Sequence, residues 1–469
     1  MAQSKDKGSM EELELRKYRR MTEEPIAGLI IRLAIPTIIS MMVTSLYNMV
    51  DTYFVGQIGT EATAGVGLAF PVMAIMQACG FMLGQGSGNY ISRTLGEKDI
   101  KRSETMASTA CVYALVLGTL ILTLGLIFKE GLLHLLGARV DRVNPLTVSY
   151  ARDYTSIILF GAPFVILSYV LNNQMRFQGN ALFSMFGLLS GAILNCVLDP
   201  IFIFALDMQA GGAALATVIS QIFGCIVLYA GTLKSDSLKL HLRSFSPGLY
   251  YIKWIVIGGL PSLFRQGLNS ISVLALNTMA GLAVSVELAD EAIAAFSIVH
   301  KLMFFAFSLA LGFAQGFQPV CGFNYGAKKF DRVRQGFSFC VKTSLVVLGL
   351  LSVLGLIFAE SLVAIFRDNP EVIAMGSVAL RCQCAVFPVM AVVSLTNIVY
   401  QNIGRVVEAT LLSVARQGLM FIPVVLLLPR IIEPAIWGVY LSQPVADVFT
   451  FALALPLAIK LMRELKFAQ

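Results

Sequence analysis

Apolar residues run along this chain in about twelve long blocks separated by short polar stretches, without the period-two alternation that barrel strands need. A hydrocarbon core near 30 Å is crossed by about 20 helical residues, so each block predicts one membrane helix. Cutting at charges, Gly and Pro gives spans at 28 to 57, 61 to 91, 104 to 128, 150 to 173, 181 to 205, 211 to 233, 252 to 283, 291 to 323, 337 to 359, 372 to 400, 406 to 428 and 435 to 459. The expected fold class is an all-α polytopic membrane protein. Composition agrees: 57% of the 469 residues are hydrophobic and 13% charged, against about 25% charged in soluble domains.

A net charge of +7 could suggest nucleic acid, but the basic residues gather in alternate loops rather than in one patch, so no nucleic-acid partner is expected. Roughly 23 fall in the tails and even-numbered connections, among them Arg93, Lys98, Lys101, Arg102, Lys234, Lys239, Arg243, Lys328, Lys329, Arg332 and Arg334, against about six in the opposite set. The positive-inside rule then makes both termini cytoplasmic. The first 24 residues are polar and of mixed charge, without the pattern of a signal peptide, and read as a cytoplasmic or disordered appendage. Eight cysteines and three histidines are scattered, with no zinc or redox spacing. No P-loop or HExxH motif is present, which argues against an ATP-driven pump or a zinc protease.

The chain repeats itself. LIFKEGLL at 126 to 133 returns as LIFAESLV at 356 to 363, an offset of 230 shared by Gly84-Gln85-Gly86 with Ala314-Gln315-Gly316 and by Gly96 with Gly326. Pro36 and Pro261, Pro163 and Pro388, and Gly179 and Gly404 pair at 225. An insertion that is later compensated explains two offsets kept in chain order. The expected organisation is a tail at 1–24, a first lobe at 25–234, an inter-lobe cytoplasmic loop at 235–250, and a second lobe with a short basic tail at 251–469. Six spans per repeat give parallel lobes, an arrangement of transporters whose sites lie in or between the halves.

Two carboxylates interrupt apolar runs of the first lobe. By helix rise, Asp51 of span one, Asp199 of span five and Thr217 of span six all lie roughly 9 Å below the external boundary. Asn195 precedes Asp199 by four residues and shares its helix face, while Pro200 cannot donate to the carbonyl of Cys196. Such oxygens suit a hard cation such as sodium, and paired acids suit a proton. The structural alternative is an interfacial Asp51 and a capped Asp199. The repeat-equivalent positions are Leu276 and Val424, which confines the ion chemistry to one lobe.

The second lobe instead places Arg265, Lys301, Arg381, Arg416 and Asp447 near the midplane by helix rise. An Arg416–Asp447 bridge within a polar network of Arg265, Lys301, Arg416 and Asp447 explains them, since buried charges are normally paired. A substrate or gating role is the other reading. His300 reads as a hydrogen-bonded core residue.

The stretch PTIISMMVTSLYNMVDTYFVGQIG at 36 to 59, with GNYISRTLGEKD at 88 to 99, MRFQGNA at 175 to 181, NCVLDP at 195 to 200, GGAALATVISQ at 211 to 221, QPVCGFNYGAKK at 318 to 329 and RQGLMFIP at 416 to 423, resembles the multidrug and toxic compound extrusion (MATE) family, in its branch of DinF-like and MepA-like transporters. The resemblance covers nearly the whole chain after residue 24. It implies two six-helix lobes around a V-shaped cavity, no cofactor, and export of amphipathic organic cations in exchange for protons or sodium ions. It also implies a monomer in the cell membrane, and a coupling site at Asp51, Asn195, Asp199, Ala213 and Thr217, where sodium would meet Asp51, Asn195, Asp199 and Thr217. A second branch of the family has acids in spans seven and ten, which are absent here. A lipid or lipid-linked oligosaccharide flippase shares the two-lobe plan and is the competing function. A membrane enzyme or receptor would need a catalytic cluster or a large soluble domain, and neither is visible.

Overall fold

The computed structural model describes residues 15–136, 144–234, 238–240 and 244–467. Residues 1–14 of the expected tail, and 235–237 and 241–243 of the expected inter-lobe loop, lie outside the described residues. Among the described residues there is no strand. The long helices are α1 (Ile26–Ile58), α2 (Thr60–Gly96), α3 (Ile100–Ile127), α4 (Pro145–Phe177), α5 (Ala181–Pro200), α6 (Gln209–Lys234), α7 (Leu249–Leu282), α8 (Ala289–Gly326), α9 (Phe330–Ile357), α10 (Pro370–Ile403), α11 (Val406–Ile431) and α12 (Ala435–Phe467). They match the twelve expected spans, and several outrun them because hydropathy marks only the lipid-crossing part. Eleven are long and apolar enough to cross a membrane. The exception, α7, has 34 residues but turns Arg265, Gln266 and Asn269 toward a polar cavity, which lowers its hydropathy.

The repeat is structural as well as sequential. Helices α3 and α9 each have 28 residues, and each is followed by a short helix, Lys129–Leu135 or Ala359–Ala364. Gly179 and Gly404, closing α4 and α10, have φ of +82° and +87°; Lys98 and Lys328, after α2 and α8, have φ of 62° and 59°. The left-handed backbone explains the retained glycines. One difference separates the copies: α4 runs unbroken through Pro163, whereas α10 is interrupted at Phe387–Val389 around Pro388.

Burial shows how the lobes meet. Leu83 to Ser92 of α2, Val170 to Phe177 of α4, Ala314 to Asn324 of α8 and Leu395 to Ile403 of α10 are buried at every position. A helix buried on all sides is enclosed by neighbours, and these stretches all lie toward the membrane side that carries the termini. In the opposite part of α2, Thr60 to Phe70, only Ala62, Gly65 and Ala69 are buried. The lobes therefore press together at the terminal end, and the opposite part of α2 is less enclosed.

Close approach makes the closed end. Lipid supplies little hydrophobic drive between helices, so small residues and hydrogen bonds do the joining. A methyl on Gly86 of α2 would strike the Ile255 carbonyl of α7, and one on Gly259 the Met82 carbonyl. Arg93 Nη1 donates to Asn402 O at 2.9 Å, and Gln318 Nε2 to Gln85 Oε1 at 3.1 Å. Residues 15–23 are helical, and this segment is no appendage: Met21 is 1% exposed and lies against Gly179 of the first lobe. Its carbonyl accepts from Asn324 Nδ2 of the second at 2.9 Å.

Candidate functional site

Three helices of the first lobe bring the predicted residues together. Helix α1 supplies Asp51, α5 Asn195 and Asp199, and α6 Ala213 and Thr217. Asn195, Asp199, Ala213 and Thr217 are buried at 3% exposure or less, and Asp51 is half-buried. Asn195 Nδ2 donates to Asp199 Oδ1 at 3.2 Å and reaches Thr217 Oγ1 at 3.5 Å. The one-turn spacing on α5 makes the first contact, and packing of α5 on α6 makes the second. Asp51 and Asp199 are near enough for their charges to repel. At Pro200 the helix changes character: Ile201 N–H turns to Leu198 O, and a π turn follows at Ile201–Ala205. Such turns often accompany functional sites.

The site is short of donors. Asp51 Oδ1, Asp199 Oδ2 and Asn195 Oδ1 are buried and accept no hydrogen bond among the described residues. Buried polar atoms are normally paired, so three unsatisfied oxygens on two adjoining helices make this an acceptor-rich cluster. Two phenols were not foreseen from the sequence: Tyr47 of α1 and Tyr154 of α4 stand within the field of both acids. Tyr47 lies four residues before Asp51, the same spacing that singled out Asn195.

The second lobe holds a separate cavity of about 140 Å³ between α7, α8, α10, α11 and α12. Arg416 Nε lies 3.3 Å from Asp447 Oδ1, Gln443 Nε2 donates to the same oxygen at 2.9 Å, and the guanidinium covers the Phe307 ring at 4.8 Å. A π turn at Ala415–Met420 carries Arg416. Arg265 reaches Asn397 Oδ1 and Ser262 Oγ at 3.4 Å each, with no acid beside it among the described residues. Two of the cations expected near the midplane stand elsewhere, and one of them, Lys301, is an expected member of the network. Lys301 is exposed, and Arg381 pairs with Glu360 of the short outer helix at 3.0 Å; both side chains reach away from the lobe interior, which span counting could not reveal. His300 lines the cavity and stacks on Phe304 at 6.5 Å, with no hydrogen-bond partner among the described residues.

Arg176 of α4 was also missed. It is 3% exposed, donates to Asn173 Oδ1, leaves Nε unpartnered and feels the charge of Arg265 across the lobe boundary. The apolar run of span four ends near residue 173, which leaves Arg176 outside the predicted membrane segment.

The family model MatE matches the chain twice, at residues 36–201 and 261–427. The chain belongs to the MatE family. Each match begins at a proline of the internal repeat and runs through the first five long helices of one lobe, stopping before α6 or within α11. Among curated relatives, the multidrug export protein MepA of Staphylococcus haemolyticus is 27% identical, over 90% of this chain and 92% of that protein. MepA of Staphylococcus aureus is 26% identical over 94% and 95%. A MATE structure in complex with MaL6 has a TM-score of 0.89 at 24% identity, covering 96% of this chain and 99% of the other. A MOP-superfamily transporter from Pyrococcus furiosus, described as having a binding pocket of reverse polarity that suggests a different function, has a TM-score of 0.88 at 25% identity, covering 96% and 98%. The MatE chain is accordingly a multi-pass membrane transporter and not an enzyme.

Proposed function

We propose that the protein is a secondary multidrug efflux antiporter, exporting amphipathic drug-like compounds, organic cations foremost, in exchange for protons or sodium ions. The observation that carries the coupling is the set of three unpartnered buried oxygens on Asp51, Asn195 and Asp199. The curated relatives are multidrug export proteins, which supports the substrate class. In this reading the termini are cytoplasmic, the membrane is the plasma membrane and the V opens outward. The entering ion removes one of the two negative charges on Asp51 and Asp199, which relieves their repulsion and changes how α1 seats on α5 and α6. Coupling follows if the ion binds the outward and inward arrangements unequally. The chain acts as a monomer, since each lobe pair encloses its own cleft.

The deciding experiment is counterflow of ethidium in proteoliposomes under an imposed pH gradient or an imposed sodium gradient at fixed membrane potential. Exchange should follow one gradient and fall to the level of empty vesicles in Asp51→Asn and Asp199→Asn. Undiminished exchange in both variants removes the mechanism.

A lipid or lipid-linked oligosaccharide flippase is the second reading, favoured by one observation: the second-lobe cavity sets Arg265 and Arg416 against the single acid Asp447. Dithionite quenching of a fluorescent phosphatidylglycerol in the same vesicles separates the two. Gradient-independent lipid flipping without ethidium exchange would establish the flippase.

A further inference from the structure

Far from both sites, α9 and α12 leave a groove of about 510 Å³ at the terminal end of the second lobe. Phe337, Val341, Leu455 and Ile459 wall it, and Arg334, Arg463 and Lys466 rim it. A second hollow of about 400 Å³ shares Arg334 and Met462 and reaches Lys342. Arg334 lies near the start of α9, and Arg463 and Lys466 near the end of α12. The cations therefore stand at the membrane boundary while the apolar walls run inward.

Lys342 is the anomaly. It stands about five residues inside span nine, roughly 8 Å along the helix axis, and is exposed on the flank. Among the described residues, neither Lys342, Arg463 nor Lys466 makes an ion pair, and Arg334 has only Asp331 at 3.5 Å. An ammonium facing hydrocarbon normally finds a partner. Helical side chains slope toward the N-terminus, so the Lys342 stem can snorkel back toward Arg334.

We infer that this groove holds an acidic phospholipid of the adjoining leaflet, with its phosphate among Arg334, Lys342 and Arg463 and an acyl chain along Val341, Leu455 and Ile459. A single ligand then meets both the unpaired cations and the apolar walls. Basic pockets between membrane helices take anionic headgroups in this way. A zwitterionic lipid lacks the net charge, and a free anion leaves the walls wet. None of these cations touches the first-lobe acids or the second-lobe cavity, so the inference stands apart from the transport reading.

The test is native mass spectrometry of the full chain released from detergent micelles carrying equal amounts of palmitoyl-oleoyl phosphatidylglycerol and phosphatidylcholine. The unsubstituted protein should retain phosphatidylglycerol preferentially. Arg334→Gln, Lys342→Gln and Arg463→Gln should each lower its retention by about fivefold, and Lys342→Arg should keep it. First-lobe controls of equal charge loss, Lys101→Gln and Lys234→Gln, should each leave the preference intact. Equal retention of the two lipids by the unsubstituted protein overturns the proposal, as does a control that loses as much as the groove variants. Displacement of phosphatidylglycerol by millimolar inorganic phosphate also overturns it, by making this a soluble-anion site. Should one groove variant fail to fold, the other two and Lys342→Arg still decide.

Discussion

A charge buried in this protein is tolerated according to what faces it, and the two lobes solve the problem differently. Asp447 is 7% exposed and Arg416 22%, and they face each other with Gln443 completing the acid's hydrogen bonds. Removing one partner leaves the other charge buried and uncompensated, which costs about 3 kcal/mol or more. Asp447→Asn should therefore lower the melting temperature of the detergent-solubilised protein clearly. The double variant Asp447→Asn/Arg416→Gln should recover most of the loss, because no lone charge remains. A double variant no more stable than the single would remove charge burial as the cause. In the first lobe, by contrast, Asp51 and Asp199 lie within each other's field with no base beside them among the described residues, and Asp199 is held by the Asn195 amide alone.

Helices here are joined by close approach more than by bulk. Gly86 of α2 lets the backbone of α7 come so near that any side chain would meet the Ile255 carbonyl. Overpacking of this kind costs about 1–3 kcal/mol, and here it acts at the contact that closes the terminal end. With nitroxide labels at Lys101 and Gln335, one on each lobe, Gly86→Val should lengthen or broaden the distance distribution read by electron–electron resonance. An unchanged distribution would show that the α2–α7 contact does not hold the lobes. The helical segment before α1 spans the same junction, with Lys98 over the Tyr18 ring at 4.5 Å in one lobe and Arg332 bonded to the Glu24 carbonyl at 2.6 Å in the other. The polar composition of this segment hides that role, since its bonds to the second lobe use backbone carbonyls that no side-chain pattern reports.

At the scale of the whole molecule, two similar lobes closed at one end form a lever. If they rock as units, labels at Thr60 and Val286, on opposite lobes at the end away from the termini, should draw together when the coupling ion is withdrawn. Labels at Val286 and Ile365, both in the second lobe, should keep their separation. A change confined to the second pair would replace rocking with movement inside a lobe. The number of long helices, the repeat and the gathering of the first-lobe polar residues were readable in the chain, because membrane-crossing backbone must satisfy its own hydrogen bonds. Helix rise then turns residue number into depth, so Asp51, Asn195, Asp199 and Thr217 could be placed at one level before any contact was known. Rotation about a helix axis and the identity of its neighbours are not local quantities. Only the tertiary structure could send Lys301 and Arg381 away from the polar network, bury Arg176 beside Asn173, add Tyr47 and Tyr154 to the acids, and decide at which end the lobes meet, because each depends on residues far apart in the chain.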